Sequence, residues 1–178
     1  MTIDRPGWPW LLALGLISGC GPMGRSAPPA PVGSAMERLE PALSGNGRWL
    51  ASLMRQQDQD RLLLQELPSG RGLPLGQLER LAPHRSPSLS WNGRYLAVIG
   101  QQGARRLVLV HDRLTGRLHR LPLPGQAEPE SLSLDPTGQR IAIGLVERGQ
   151  PRVRLLQLTG LLEPDQPPGQ TLIDPGSP

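Results

Sequence analysis

One nine-residue pattern occurs three times at nearly equal intervals, and it limits the fold more tightly than composition does. It reads Leu43-Ser44-Gly45-Asn46-Gly47-Arg48-Trp49-Leu50-Ala51, then Leu89-Ser90-Trp91-Asn92-Gly93-Arg94-Tyr95-Leu96-Ala97, then Leu134-Asp135-Pro136-Thr137-Gly138-Gln139-Arg140-Ile141-Ala142. Gly47, Gly93 and Gly138 are separated by 46 and 45 residues. Ser44, Ser90 and Asp135 open four-residue turns, where a short side-chain oxygen accepts a backbone N–H and the closing glycine takes positive φ. Each turn leads into a small apolar strand: Trp49 to Met54, Tyr95 to Ile99, and Ile141 to Val146.

Aligned on these glycines, each unit divides into the same strand-like pieces. The first gives Arg38 to Leu43, Arg48 to Met54, Arg61 to Leu67 and a weak fourth strand, Arg71 to Leu78, interrupted by Pro74. The second gives Ser86 to Leu89, Arg94 to Ile99, Arg106 to Asp112 and Arg117 to Leu123. The third gives Glu130 to Leu134, Gln139 to Val146 and Pro151 to Leu158, then an extended loop over Leu161 to Gly169 and a late strand, Thr171 to Asp174. A repeat of this length with strand and turn signals predicts an all-β protein of three four-stranded antiparallel propeller-type blades, a partial or open propeller. Three unrelated hairpins are the alternative. The 22 Gly, 21 Pro and absence of Phe fit many short strands with a core of Leu, Val, Ile and Ala.

The amino terminus reads as an export signal. Trp8 to Ile17 is an apolar run too short to span a bilayer comfortably, preceded by Arg5. It ends in Ile17-Ser18-Gly19-Cys20, and Cys20 is the chain's single cysteine. This resembles a bacterial lipobox, and the resemblance implies cleavage before Cys20 and a lipid on its thiol. The alternative is an incidental cysteine at an ordinary secretion site. Gly21 to Ala35 reads as a Pro/Gly/Ser/Ala linker. It would hold the folded part about 30 to 45 Å from the lipid at ~3.1 Å per residue. Gly21 after the cysteine, by the same resemblance, favours the outer membrane. The expected organisation is a signal peptide at 1–19, the lipidated cysteine and linker at 20–37, and blades at about 38–80, 81–125 and 126–178.

The blade lettering also resembles TolB-like propellers, the periplasmic relatives of WD-repeat blades. The family reads Pro-x-apolar-Ser-Pro-Asp-Gly-Lys/Arg-x-apolar-Ala, then a strand ending Asp-apolar-x-Thr-Gly. This chain supplies Pro87-Ser88-Leu89-Ser90-Trp91-Asn92-Gly93-Arg94-Tyr95-Leu96-Ala97 and Asp112-Arg113-Leu114-Thr115-Gly116. The resemblance covers about residues 38 to 160 and implies fold more than function, because its residues build turns. Family members join six blades to a helical amino-terminal domain, whereas three units are read here and no such domain precedes them. Closed propellers have about four to eight blades. A homodimer closing a six-bladed ring, docking onto a partner, and an open monomer are the expectations that follow.

Strand alternation assigns the repeated turns to one end of the blades and the remaining loops to the other. Arg48, Arg71, Arg94 and Arg117 follow turn glycines at the first end, either as a basic rim for anionic lipid headgroups or envelope polymers or, preferably, as solvated turn residues. His84, Arg85, Arg105 and Arg106 lie in loops at the opposite end and are the candidate partner contacts. The net charge of +4 comes with no Lys and no basic cluster, so nucleic-acid binding is not expected. His84, His111 and His119 have no metal-ligand spacing, and no cofactor or metal is expected. His111-Asp112 could orient an imidazole, but no Gly-x-Ser-x-Gly elbow accompanies it. Trp49 and Trp91 are read as blade packing. The expected function is a non-enzymatic, envelope-anchored lipoprotein that binds an envelope protein through its blades. A hydrolase or ligand-binding enzyme on a propeller scaffold is the alternative.

Overall fold

The computed structural model describes residues 38–165, which form three antiparallel sheets in chain order. The first contains β1 (Arg38–Leu43), β2 (Trp49–Gln56), β3 (Gln59–Glu66) and β4 (Gly72–Leu73). The second contains β5 (Arg85–Leu89), β6 (Tyr95–Gln102), β7 (Arg105–Asp112) and β8 (Leu118–Leu121). The third contains β9 (Glu128–Leu134), β10 (Arg140–Glu147) and β11 (Gln150–Gln157). The expected all-β, unclosed array of three blades is therefore what the chain forms. The third blade has three strands among the described residues, and the expected strand Thr171 to Asp174 lies outside them, as do the signal peptide, Cys20 and the linker.

The hairpin loops follow from local chemistry. Gln56 pairs with Gln59, Gln102 with Arg105, and Glu147 with Gln150, leaving two-residue loops. Positive φ falls on Gln57 and Asp58, on Gly103, and on Arg148 and Gly149. Such primed turns match the right-handed twist of the strands they join.

Strand alternation then gives each blade a forward face toward the next blade and a rear face toward the previous one. Ala51, Leu53, Leu62 and Leu64 on the forward face of blade 1 cluster with Leu89, Leu96, Val98 and Leu109 on the rear of blade 2. Ala97, Ile99, Val108 and Val110 on the forward face of blade 2 cluster with Leu132, Leu134, Ile141, Ile143 and Leu145 on the rear of blade 3. The forward positions of the two blades correspond one for one at the 46-residue period. Every one of them is buried.

The expected fourth strand over Arg71 to Leu78 is cut to Gly72–Leu73. Pro74 cannot donate to a ladder, and Gly76 adopts φ +55. The chain continues as a 3-10 turn, Gly76–Leu81, placing Leu75, Leu78 and Leu81 in the core between blades 1 and 2. Their spacing of three residues suits a helix with three residues per turn. The expected loop from Leu161 is also only partly a loop. Leu158 and Leu162 are buried in the core of blades 2 and 3, and Thr159 bridges to Leu162.

Two repeated joints lock neighbouring blades. At the turns, the aromatic residue opening one blade's second strand lies over the next blade's turn glycine. A Cβ on Gly93 would lie 2.6 Å from Trp49 Cδ1, and one on Gly138 would lie 2.5 Å from Tyr95 Cδ2. The Arg113 guanidinium stacks 3.7 Å from the Trp49 ring centre and donates to the Gly93 carbonyl. Near the axis, the inner strands β1, β5 and β9 belong to separate sheets, and side chains stitch them together. The Glu40 carboxylate accepts the Ser86 N–H, Ser86 Oγ accepts the Leu132 N–H at 2.9 Å, and Ser88 Oγ accepts the Leu134 N–H at 3.0 Å.

These joints predict a graded cost for adding a methyl group. Gly93→Ala meets both a positive φ and the Trp49 ring, so urea denaturation should show a loss of about 2 to 4 kcal/mol. Gly103→Ala, with φ +59 and open space around its Cβ, should lose only about 1 kcal/mol.

Candidate partner-binding surface

At the end bearing the repeated turns, the polar groups are largely satisfied within the fold. Arg48 donates from Nε and Nη2 to Glu66 Oε1 at 2.9 and 2.6 Å, and Ser69 Oγ donates to Glu66 Oε2 at 2.7 Å. Hydrogen bonds from Ser69 and then Arg48 hold the Glu66 carboxyl below its ordinary pKa. One period later, Arg94 holds Asp112 through two bonds of 3.2 and 3.1 Å and reaches Glu163 at 2.8 Å. Burial pushes the Asp112 carboxyl up, but Arg94 and the Leu114 N–H outweigh it and keep the pKa low. Two of the four turn arginines are thus neutralised in their own blades, while Arg71 and Arg117 are exposed.

Asp165 completes this network and was not singled out in the sequence. It is buried, and its carboxylate accepts Ser90 Oγ–H at 2.5 Å, the Asn92 N–H at 2.9 Å and Asn92 Nδ2–H at 3.1 Å. Its own N–H donates to the Thr137 carbonyl at 2.7 Å. Ser90 Oγ also accepts the Tyr95 N–H at 2.9 Å, so this buried hydroxyl is committed to structure. His111 and Asp112 are adjacent on β7 and point to opposite faces, so the carboxylate that grips Arg94 does not orient the imidazole. Among the described residues, no group of three or more His, Cys, Asp or Glu side chains gathers to hold a metal.

The opposite end is open. A groove of about 740 Å³ runs between the β6–β7 hairpin and the crossover from β8 to β9. Leu121, Leu123 and Ala127 supply carbon surface, and Arg105 and Arg106 border it. Arg106 Nη1 lies 4.0 Å from Glu128 Oε2, while Arg105 is exposed. Gly125, Gln126 and Glu128 also line a second groove of about 530 Å³ that reaches Glu147 and Arg148 of blade 3. The two form one trough across blades 2 and 3.

The four candidate contacts do not come together as one site. Arg105 and Arg106 both border the trough, from opposite faces of β7. Arg85 is exposed at the start of β5, outside the residues that line it. His84 needs correction as a surface contact, because it is 3% exposed. Its Nδ1 accepts the Leu62 N–H at 3.2 Å, which leaves the proton on Nε2 to be donated to the Leu78 carbonyl at 2.8 Å. His84 therefore ties β3 to the 3-10 turn. The carbon floor of the trough was missed, although Pro122 and Pro124 on either side of Leu123 mark a crossover that cannot extend β8's ladder.

No family model and no curated protein matches the sequence. Solved structures do. TolB from Acinetobacter baumannii superposes with a TM-score of 0.57 at 14% identity, covering 67% of this chain and 30% of that one. The described blades have the TolB-like propeller fold. A putative TolB from Agrobacterium tumefaciens gives a TM-score of 0.56 at 12% identity over 72% of this chain and 48% of that one. The β-propeller domain of the Trilobed protease from Pyrococcus furiosus, described as having an open velcro topology, gives 0.55 at 14% identity over 74% and 41%. The chain spans less than half the length of each of these structures, and at these identities the likeness is one of fold. Among the described residues of the TolB-like blades, no helix is long and apolar enough to cross a membrane.

The two inward histidines give the fold an acid-side dependence. Burial lowers the pKa of both His84 and His111. The unfolded chain therefore takes up their protons, as pH falls through about 6.5, before the folded chain does. Stability should therefore be full above that pH and decline as pH falls below it. His84→Leu strands the Leu62 N–H and Leu78 carbonyl. Denaturation at pH 7 should show a loss of about 2 to 4 kcal/mol and a shallower acid slope than the parent's.

Proposed function

We propose that this chain is a non-catalytic protein-interaction module of a bacterial envelope, anchored by a lipid on Cys20 and facing the periplasm with its TolB-like blades. The observation that carries the reading is the contrast between the two ends of the blades. At the turn end, Glu66, Asp112 and Asp165 are already held by donors of the chain itself. At the other end, Arg105 and Arg106 stand over carbon surface in an open trough.

That combination suits an extended protein segment that offers an apolar side chain beside a carboxylate. The apolar group would cover Leu121, Leu123 and Ala127, and desolvation would supply most of the affinity. The carboxylate would be taken by a guanidinium fork, whose two parallel N–H bonds fix its orientation. Arg105 has no ion pair among the described residues. Arg106 must exchange its long contact with Glu128 for the ligand, so its contribution is net of that loss. The linker and lipid would keep this surface close to one membrane, with the outer membrane favoured.

Two measurements separate the parts of this reading. Cys20→Ala should abolish incorporation of labelled palmitate and move the protein from the membrane to the soluble fraction. Continued labelling would refute the anchor. A photo-crosslinking residue at Leu123 should capture a discrete envelope protein, and Arg105→Glu with Arg106→Glu should reduce that capture at least tenfold. Capture indifferent to the charge reversal would refute the trough as the contact surface.

A further inference from the structure

The forward face of blade 3 repeats, position for position, the faces that blades 1 and 2 bury against their successors. Ala142, Gly144, Val153 and Leu155 stand 45 residues after Ala97, Ile99, Val108 and Val110. The register confirms that they share one face, since Ala142 pairs with Leu155 and Gly144 with Val153. The earlier set is essentially inaccessible, whereas Val153 is 79% and Leu155 is 63% exposed. The polar half of the joint is repeated as well. Ser131 and Ser133 stand 45 residues after Ser86 and Ser88, which accept the N–H groups of the following inner strand. Both later serines are exposed.

The complementary half is at the other end of the same chain. On the rear of blade 1, Leu50 and Leu63 occupy the positions that Leu96 and Leu109 fill on the rear of blade 2. They are only half-buried, although Ser52 and Gln65 on the same face are buried, while Leu96 and Leu109 are fully covered by blade 1. One chain therefore carries a forward half-joint and a rear half-joint that cannot reach each other across three blades.

We propose that a second copy of this chain supplies the missing halves, with blade 3 of each copy seated on blade 1 of the other. The joint continues the two interfaces already present in the chain: Val153 and Leu155 take the place of Val108 and Val110, against Leu50 and Leu63 of the second copy. Ser133 accepts the backbone N–H of the second copy's Leu43, the position that Leu134 fills in blade 3, whereas the position of Leu132 is held there by Pro41, which has no N–H to offer Ser131. Because each copy contributes one half-joint of each kind, the arrangement closes on a two-fold axis and leaves neither half over.

The test uses the full-length chain with Cys20→Ala. Sedimentation velocity at about 50 μM should give a dimer, and Val153→Asp with Leu155→Asp should weaken association at least about 100-fold. Unchanged near-UV circular dichroism would confirm that these exposed positions do not support the monomer's fold. To read the geometry, Leu155→Cys and Leu63→Cys proteins are prepared separately, mixed and treated with a short bis-maleimide. Covalent dimers that form only in the mixture are the expected result. A parent chain that is monomeric at 50 μM overturns the proposal. So do dimers crosslinked equally well by Leu155→Cys alone, which would place two copies of β11 together instead.

Discussion

The structure depends on one constraint: a four-stranded blade is apolar on both faces and must cover each with another blade. Ala51, Leu53, Leu62 and Leu64 are shielded because Leu96, Val98 and Leu109 lie against them, and the relation repeats one blade later. Burying such side chains contributes about 1.5 to 3 kcal/mol each relative to exposure, which far exceeds the surface ion pairs of the turn end. The directional groups serve mainly to set register. Trp49 over Gly93 and Tyr95 over Gly138 fix how far one blade slides on the next, and the Ser86 and Ser88 hydroxyls fix the spacing of inner strands that share no ladder.

Much of this was legible because its signals are local and repeated. The turn at Asp135-Pro136-Thr137-Gly138 needs only its own four residues, and the period carries the blade assignment to its neighbours. Trp49 could be read as packing because it opens the same strand as Tyr95. His84 was misplaced for the opposite reason. It lies in a polar crossover, Arg80 to Ser86, and only the fold turns its ring toward the Leu62 N–H and the Leu78 carbonyl. The leucine triplet at 75, 78 and 81 did carry a local sign in its spacing of three, which was obscured by reading Arg71 to Leu78 as a strand. Asp165 had no such sign, because its partners Ser90 and Asn92 lie more than 70 residues away.

The lengths of the crossovers between blades account for where the open surface lies. Blades fan outward from the axis, so the gap between neighbours widens toward the periphery and must be filled or left to solvent. Between blades 1 and 2 the crossover runs from β4 at Leu73 to β5 at Arg85 and has room for the 3-10 turn, whose Leu75, Leu78 and Leu81 fill the wedge. Between blades 2 and 3 it runs only from Leu121 to Glu128, and Leu123 and Ala127 are the hydrophobic side chains it adds at the edge of the core. The rear of β11 changes accordingly: Arg152 and Arg154 stand where β7 has Leu107 and Leu109. An unfilled wedge lined with carbon and bordered by arginines is thus a direct consequence of a short crossover. The trough at Arg105 and Arg106 is therefore part of how this chain departs from its own repeat, whereas the uncovered face at Val153 and Leu155 is where it keeps to it.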